Sequence, residues 1–225
     1  MRQIPLAIAP EVQPDFDNFV PGANGAALSH LRSLAWPSAP VYLWGPASCG
    51  KTHLLRALAA RVVAAGQQVA WFDSAEPMPW ILSPTWSLLV VDRCEALDEA
   101  AQHAAFTMFE DATAHGVQWA AAGRLPPVDL AVREDLRTRL AWGHVFALQP
   151  LGDSETRAAL RREADRRGIF LSDEVMDYLL SRFARDLKHL MVLLDRLDHF
   201  ALAEKRAVTV PLLRRMFEEE GADLV

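Results

Sequence analysis

Gly45-Pro46-Ala47-Ser48-Cys49-Gly50-Lys51-Thr52 reads G-x-x-x-x-G-K-T and follows directly on the apolar run Val41-Tyr42-Leu43-Trp44. The helical pattern His53, Leu54, Leu55, Leu58, Val62 comes next, so the chain is constrained to a fold in which a strand runs into a glycine loop and then a helix. The glycines permit tight turns, the loop amides can converge on phosphate oxygens, and the helix directs its positive end at the same anion. Such a loop cradles a nucleotide, with Lys51 reaching the β- and γ-phosphates and Thr52 holding Mg²⁺. The alternative, a glycine-bearing surface turn, explains neither flank.

Downstream the pattern alternates. Val69-Ala70-Trp71-Phe72 reads as a second strand after a helix that Gly66 stops, and Leu88-Leu89-Val90-Val91 is an all-apolar strand of the doubly buried kind. Asp92 ends that strand, where a second Mg²⁺-orienting carboxylate is needed at the sheet edge. Arg93 follows, and Glu95 is the nearest acid. A long helix from about Asp98 to His115 leads to a fourth strand, Val117 to Ala122, which ends in Gly123-Arg124 without a polar side chain to sense a phosphate. Arg124 reads as a surface charge or a phosphate contact. A charged helix over Val132 to Trp142 and a fifth strand, Val145 to Leu148, complete an α/β domain with a parallel sheet.

From 151 to 225 no strand signal remains. Amphipathic helices are expected over Asp153 to Arg167, Ser172 to Phe183, Arg185 to Ala203 and from about Thr209, with Asp153, Ser172 and Thr209 as N-caps. The domains are thus 15–150, nucleotide-binding, and 151–225, a small helical lid. Arg157, Arg161, Arg162 and Arg166 form a stripe, but acids are interleaved with it, so it reads as a salt-bridged surface.

Residues 1–14 are a separate matter. Gln3-Ile4-Pro5-Leu6-Ala7-Ile8 is apolar and precedes a proline-rich, acidic linker. It reads either as a tethered peptide that docks in another protein's groove or as a strand folded back on its own domain.

The net charge of −6 on 225 residues argues against a protein held on nucleic acid by its overall field. Contact with DNA is expected to be indirect. No apolar stretch reaches membrane-spanning length and no secretory signal is present, so no membrane partner and a cytoplasmic location are expected. The two cysteines, Cys49 in the loop and Cys94 just past Asp92, suit neither a disulfide framework nor a metal site. Their positions suggest that both sulfurs approach the nucleotide. The tryptophans are expected to be mostly core.

The order of parts resembles the AAA+ module, and within it the DnaA branch. The likeness is carried by Phe16-Asp17-Asn18-Phe19-Val20-Pro21-Gly22, the loop GPASCGKTHLLRA, the strand LLVVD, and Arg137-Thr138-Arg139-Leu140 ahead of Trp142-Gly143. The clamp-peptide-like start and an end directly after the lid are similar to the Hda family, regulators that inactivate the DnaA initiator. The resemblance covers nearly the whole chain.

That resemblance implies the following roles. Gln3, Ile4, Leu6 and Ile8 would bind the sliding clamp, the β subunit of DNA polymerase III, which favours the tethered-peptide reading. Arg139 would be an arginine finger acting in trans on ATP bound to DnaA. Phe19, Val20 and His53 would join Gly45 to Thr52 around the nucleotide, ADP or ATP with Mg²⁺ held by Thr52 and Asp92, and Arg185 would reach it from the lid. Head-to-tail homo-oligomers that cover Arg139 are also implied. Two departures, Arg93 after the Mg²⁺ aspartate and Ala122-Gly123 at the sensor position, point to weak or absent ATP hydrolysis by the chain itself. Two other functions stay open on the sequence: a self-sufficient AAA+ ATPase using Glu95 as base, and a DnaA-like adaptor that recruits replication proteins.

Overall fold

The apolar run ahead of the glycine loop forms β1 (Val41–Trp44), with parallel neighbours on both of its edges. In the computed structural model, which describes residues 13–183 and 186–220, β1 belongs to a five-stranded parallel sheet with β2 (Gln68–Phe72), β3 (Trp86–Val91), β4 (Gln118–Gly123) and β5 (His144–Ala147). The order across the sheet is β2-β3-β4-β1-β5. Strand β4 therefore separates β1 from β3, so the loop after β1 and Asp92 after β3 face each other over the end of β4. The run Ala120-Ala121-Ala122-Gly123 keeps that end small, and every residue of β4 is buried.

Strand alternation sends side chains to two faces. On one, Tyr42, Leu89, Val91, Trp119 and Ala121 pack with apolar residues of α3 (Glu99–His115) and α4 (Glu134–Leu140). On the other, Leu43, Leu88, Val90, Ala120 and Ala122 pack with α1 (Gly25–Ser33) and α2 (Lys51–Ala64). Both faces being covered explains why β3 reads as a continuous apolar run. Gln118, buried at the start of β4, is satisfied by Ser38 N–H at 2.8 Å and by the carbonyls of Ala39 and Trp119.

The helix ends follow local chemistry. Asp98 caps α3, its carboxylate accepting from Ala101 N–H at 2.8 Å, and Gly116 closes the helix in the left-handed region. The charged helix expected over Val132 to Trp142 is shorter, because a tight turn in which Val132 N–H bonds to the Leu130 carbonyl precedes it and α4 begins only at Glu134. Trp142 departs from the expected burial of the tryptophans and stays 55% exposed beyond the end of α4, with one edge against Phe109.

Residues from Leu151 form the second compact unit, all helical: α5 (Asp153–Arg166), α6 (Asp173–Arg182), α7 (Leu187–Glu204) and α8 (Val210–Glu220). Leu160, Val175, Leu179, Leu190, Leu194, Leu197, Leu213 and Met216 fill its centre. Ser172 caps α6 by accepting from Val175 N–H, and Thr209 Oγ1 accepts from Leu212 N–H. Asp153 does not cap α5. It is the first helical residue; Gly152 is the cap, and Glu155 reaches back to accept from Gly152 N–H at 2.8 Å. Three arginines of the stripe are paired as a salt-bridged surface would be, Arg157 on Asp177, Arg161 on Asp173 and Arg166 on Glu163. Among the described residues no helix is long and apolar enough to cross a membrane.

Candidate nucleotide site

The loop after β1 is shaped by two glycines that no other residue could replace without movement. Gly45 has φ 153°, and a Cβ there would lie 2.3 Å from the Leu148 carbonyl oxygen. Gly50 has φ 99°, and a Cβ would meet the Phe19 ring at 2.6 Å. Both conformations belong to the region that favours glycine. Between them Pro46, Ala47 and Ser48 are exposed.

Helix α2 starts at Lys51 with Gly50 as N-cap, no side-chain cap and no acid in its first turn. Its first amides are thus free of a competing carboxylate, as an anion site requires. Lys51 Nζ donates to the carbonyls of Gly45 and Pro46, both at 2.7 Å, which folds the ammonium over the loop. Opposite, Thr52 Oγ1 donates to Asp92 Oδ2 at 2.7 Å, and Asp92 Oδ1 accepts Arg93 N–H at 2.9 Å. Asp92 is buried, yet it faces a hydroxyl rather than a cation. A hydroxyl and a carboxylate brought together beside an ammonium and uncapped helix amides form a donor set that fits a nucleotide phosphate chain with Mg²⁺.

The entry segment closes over this loop. Phe19 is buried, packs against Gly50 and stacks obliquely on His53 with ring centroids 5.3 Å apart. Val20 follows it, partly buried. The His53 ring shares a hydrogen bond with the Asp15 carbonyl at 2.9 Å, and burial holds its imidazole below the ordinary value against the pull of that carbonyl. Asn24, which sequence reasoning missed, is buried and forms a reciprocal pair with the Gln149 backbone: Nδ2 donates to the carbonyl and Oδ1 accepts from N–H, both at 2.8 Å. It ties the entry segment to the strip after β5 that touches Gly45. Its sequence signal is its place in Pro21-Gly22-Ala23-Asn24-Gly25, a turn-rich stretch.

The two departures noted in the sequence have physical accounts. Gly123 leaves no room for a side chain: a Cβ there would lie 2.2 Å from the Tyr42 hydroxyl, which donates to the Leu125 carbonyl at 2.9 Å. Arg93 takes a left-handed conformation, φ 55°, and turns to Asp73 at the end of β2, 2.6 Å away. Although burial opposes it, the Ala75 N–H and Arg93 together hold the Asp73 carboxyl below the usual range. Glu95, the alternative base, accepts Arg124 N–H at 3.1 Å and pairs with the Arg124 guanidinium. Arg124 is accordingly the partner of Glu95.

Of the two cysteines, Cys49 stands in the loop, its Sγ accepting from Lys51 Nζ at 3.6 Å, and Cys94 lies on the other face of the sheet. Cys49 is buried with the α1 and α2 side of the sheet, while Cys94 is fully buried on the α3 side and bonds to the Val91 carbonyl. Burial, with Glu95 and Asp92 beside it, pushes the Cys94 thiol well up, which makes it inert. Arg139, on α4, contacts Glu110 and Phe106 of α3. Gln3, Ile4, Leu6, Ile8 and Arg185 lie outside the described residues.

Residues 153–217 match the family described as Hda, lid domain. The fold as a whole is similar to domain III of the Thermotoga maritima replication initiation protein DnaA, with a TM-score of 0.75 at 19% identity over 94% of this chain and 98% of that one. The chain thus carries an Hda-type lid, residues 153–217, and as a whole shares its fold with DnaA domain III. AMPPCP-bound DnaA from Aquifex aeolicus shares the AAA+ fold at TM-score 0.70 and 18% identity, covering 94% of this chain and 70% of that one. The fold is also similar to that of the Thermotoga maritima RuvB Holliday junction branch migration motor, at TM-score 0.60 and 17% identity over 82% and 63% of the two chains.

Proposed function

We propose that this chain is a negative regulator of replication initiation that acts on DnaA. It binds the DNA-loaded sliding clamp through Gln3, Ile4, Leu6 and Ile8, keeps a nucleotide of its own, ADP, in the loop from Gly45 to Thr52, and uses Arg139 to stimulate hydrolysis of ATP bound to DnaA. The observation that carries this reading is an Hda-type lid, residues 153–217, on a fold similar to DnaA domain III.

The resident nucleotide with Mg²⁺ supplies the charge that this chain's residues are arranged to receive. Lys51 and the α2 amides would hold its phosphates, Thr52 and Asp92 would orient the metal, and Phe19, Val20 and His53 would close the entry side, with Arg185 proposed as a further nucleotide contact. Hydrolysis within this site is weak, because the residue after Asp92 is Arg93, bound to Asp73, and Glu95 is engaged by Arg124. Arg139 instead adds positive charge where the phosphoryl group on DnaA develops negative charge. Such fingers contribute on the order of 10³ to 10⁵ in rate.

The test measures hydrolysis of labelled ATP carried by DnaA, in the presence of DNA-loaded clamp, with wild type, Arg139→Ala and a Gln3→Ala, Leu6→Ala double variant. Stimulation by wild type that both variants lose is expected. Stimulation that survives Arg139→Ala would overturn the finger assignment, and stimulation that survives the double variant would overturn the clamp assignment.

A further inference from the structure

The guanidinium that would enter another protein's active site is already engaged in this one. Arg139 Nη2 lies 3.2 Å from Glu110 Oε1, and its guanidinium carbon sits 5.7 Å from the centre of the Phe106 ring, four residues earlier on the same helix, α3. Its Nε is buried and has no hydrogen-bond partner among the described residues. A guanidinium carries five N–H donors, so this seat uses few of them and hides one. Hiding an unpaired donor is unfavourable. The aromatic face and the Glu110 carboxylate must offset it.

We propose that Glu110 and Phe106 form a latch for Arg139: in the free protein the carboxylate neutralises the guanidinium and holds it along α3, and the polyphosphate of the partner's nucleotide displaces that carboxylate. The latch rests on Arg139 acting in trans. Two features suit it to exchange. Arg139 and Glu110 are 41% and 50% exposed, so their ion pair is solvent-screened and weak. A polyphosphate offers more negative charge and more acceptor oxygens than one carboxylate, and it can take two parallel guanidinium N–H bonds where Glu110 takes one. Phe106 loses nothing in the exchange, since its ring can support the guanidinium stem while the head turns outward. Glu110 is thus a positioning residue that sets how much free Arg139 is available to a partner.

The test compares wild type, Glu110→Gln and Arg139→Ala, titrated into DnaA carrying labelled ATP with DNA-loaded clamp. For Glu110→Gln, the concentration giving half-maximal hydrolysis is expected to fall roughly two- to fivefold, the fold-change that corresponds to an exposed ion pair. The maximal rate stays unchanged. The gap between variant and wild type closes as salt is raised, which a purely structural defect would not do. A second measurement needs no partner: the Arg139 Nε–H resonance, assigned by its absence in Arg139→Ala, shifts in Glu110→Gln. If Arg139→Ala retains stimulation, the finger and the latch both fall. If Arg139→Ala loses stimulation while Glu110→Gln shows unchanged or raised half-saturation, or an unmoved Nε–H resonance, the latch alone is overturned.

Discussion

The Thr52 hydroxyl donates to Asp92 Oδ2 over 2.7 Å, joining the first turn of α2 to the end of β3 across the small C-terminal end of β4. Two polar groups from separate strand-loop junctions meet because three alanines and a glycine lie between them. The Thr52→Val variant keeps the shape and removes the donor. Its affinity for ADP in the presence of Mg²⁺ is expected to fall about 10- to 100-fold, the loss of a hydrogen-bonding ligand to a charged group. Calorimetric titration with and without EDTA checks this: the difference should vanish without Mg²⁺, and equal affinities in its presence would remove Thr52 from the metal.

Gly50 and Phe19 form a lock-and-key contact in which the ring fills the space a side chain would take. Gly50→Ala is expected to destabilise the fold by about 1–3 kcal/mol from its left-handed conformation alone. Adding Phe19→Ala should relieve the clash but not the strain, so the two substitutions couple by about 0.5–3 kcal/mol in a double-mutant cycle. Additive losses in urea unfolding would mean that the ring does not sit on Gly50.

Asn24 bridges to both backbone groups of Gln149, 125 residues away in sequence. Asn24→Ala removes both partly buried bonds to Gln149, at about 0.5–1.5 kcal/mol for each. Asn24→Asp keeps the acceptor for N–H but sets a carboxylate against the carbonyl. Unfolding midpoints should therefore fall for both variants, and the aspartate should recover part of its loss as pH is lowered and the carboxyl becomes a donor.

These contacts show where sequence legibility stops. The glycine loop, the Asp92 strand and the alternation of strands and helices are local patterns, so they predict the parallel sheet and the helical unit after Pro150 closely. Strand order is a long-range property, and nothing local in LLVV tells that β4 lies between it and β1. The pairing of Asn24 with Gln149, and the Tyr42 hydroxyl that forbids a side chain at Gly123, are long-range too. Cys49 and Cys94 look like neighbours because each is near a site residue, but the faces of the sheet separate them. Arg139 reads as a free surface arginine, whereas α3 and α4 fold so that Glu110 and Phe106 receive it.

Glu163 carries the clearest pH signature. Its carboxylate accepts from Arg166 and Arg167, and these bonds, with the Arg166 bond foremost, lower its pKa from the ordinary 4.5 to about 2 against the opposing effect of burial. Folding therefore binds the deprotonated form more tightly than the unfolded chain does. The sign follows from linkage: the contribution is fully present above about pH 4.5 and is lost as pH falls through the folded value near 2. Glu163→Gln lacks the charge throughout. The melting temperature of wild type should exceed that of Glu163→Gln by a constant amount above about pH 4.5, and the gap should narrow steadily toward pH 2. Parallel curves across that window would mean that the two arginines hold Glu163 no more tightly in the folded chain than in the unfolded one.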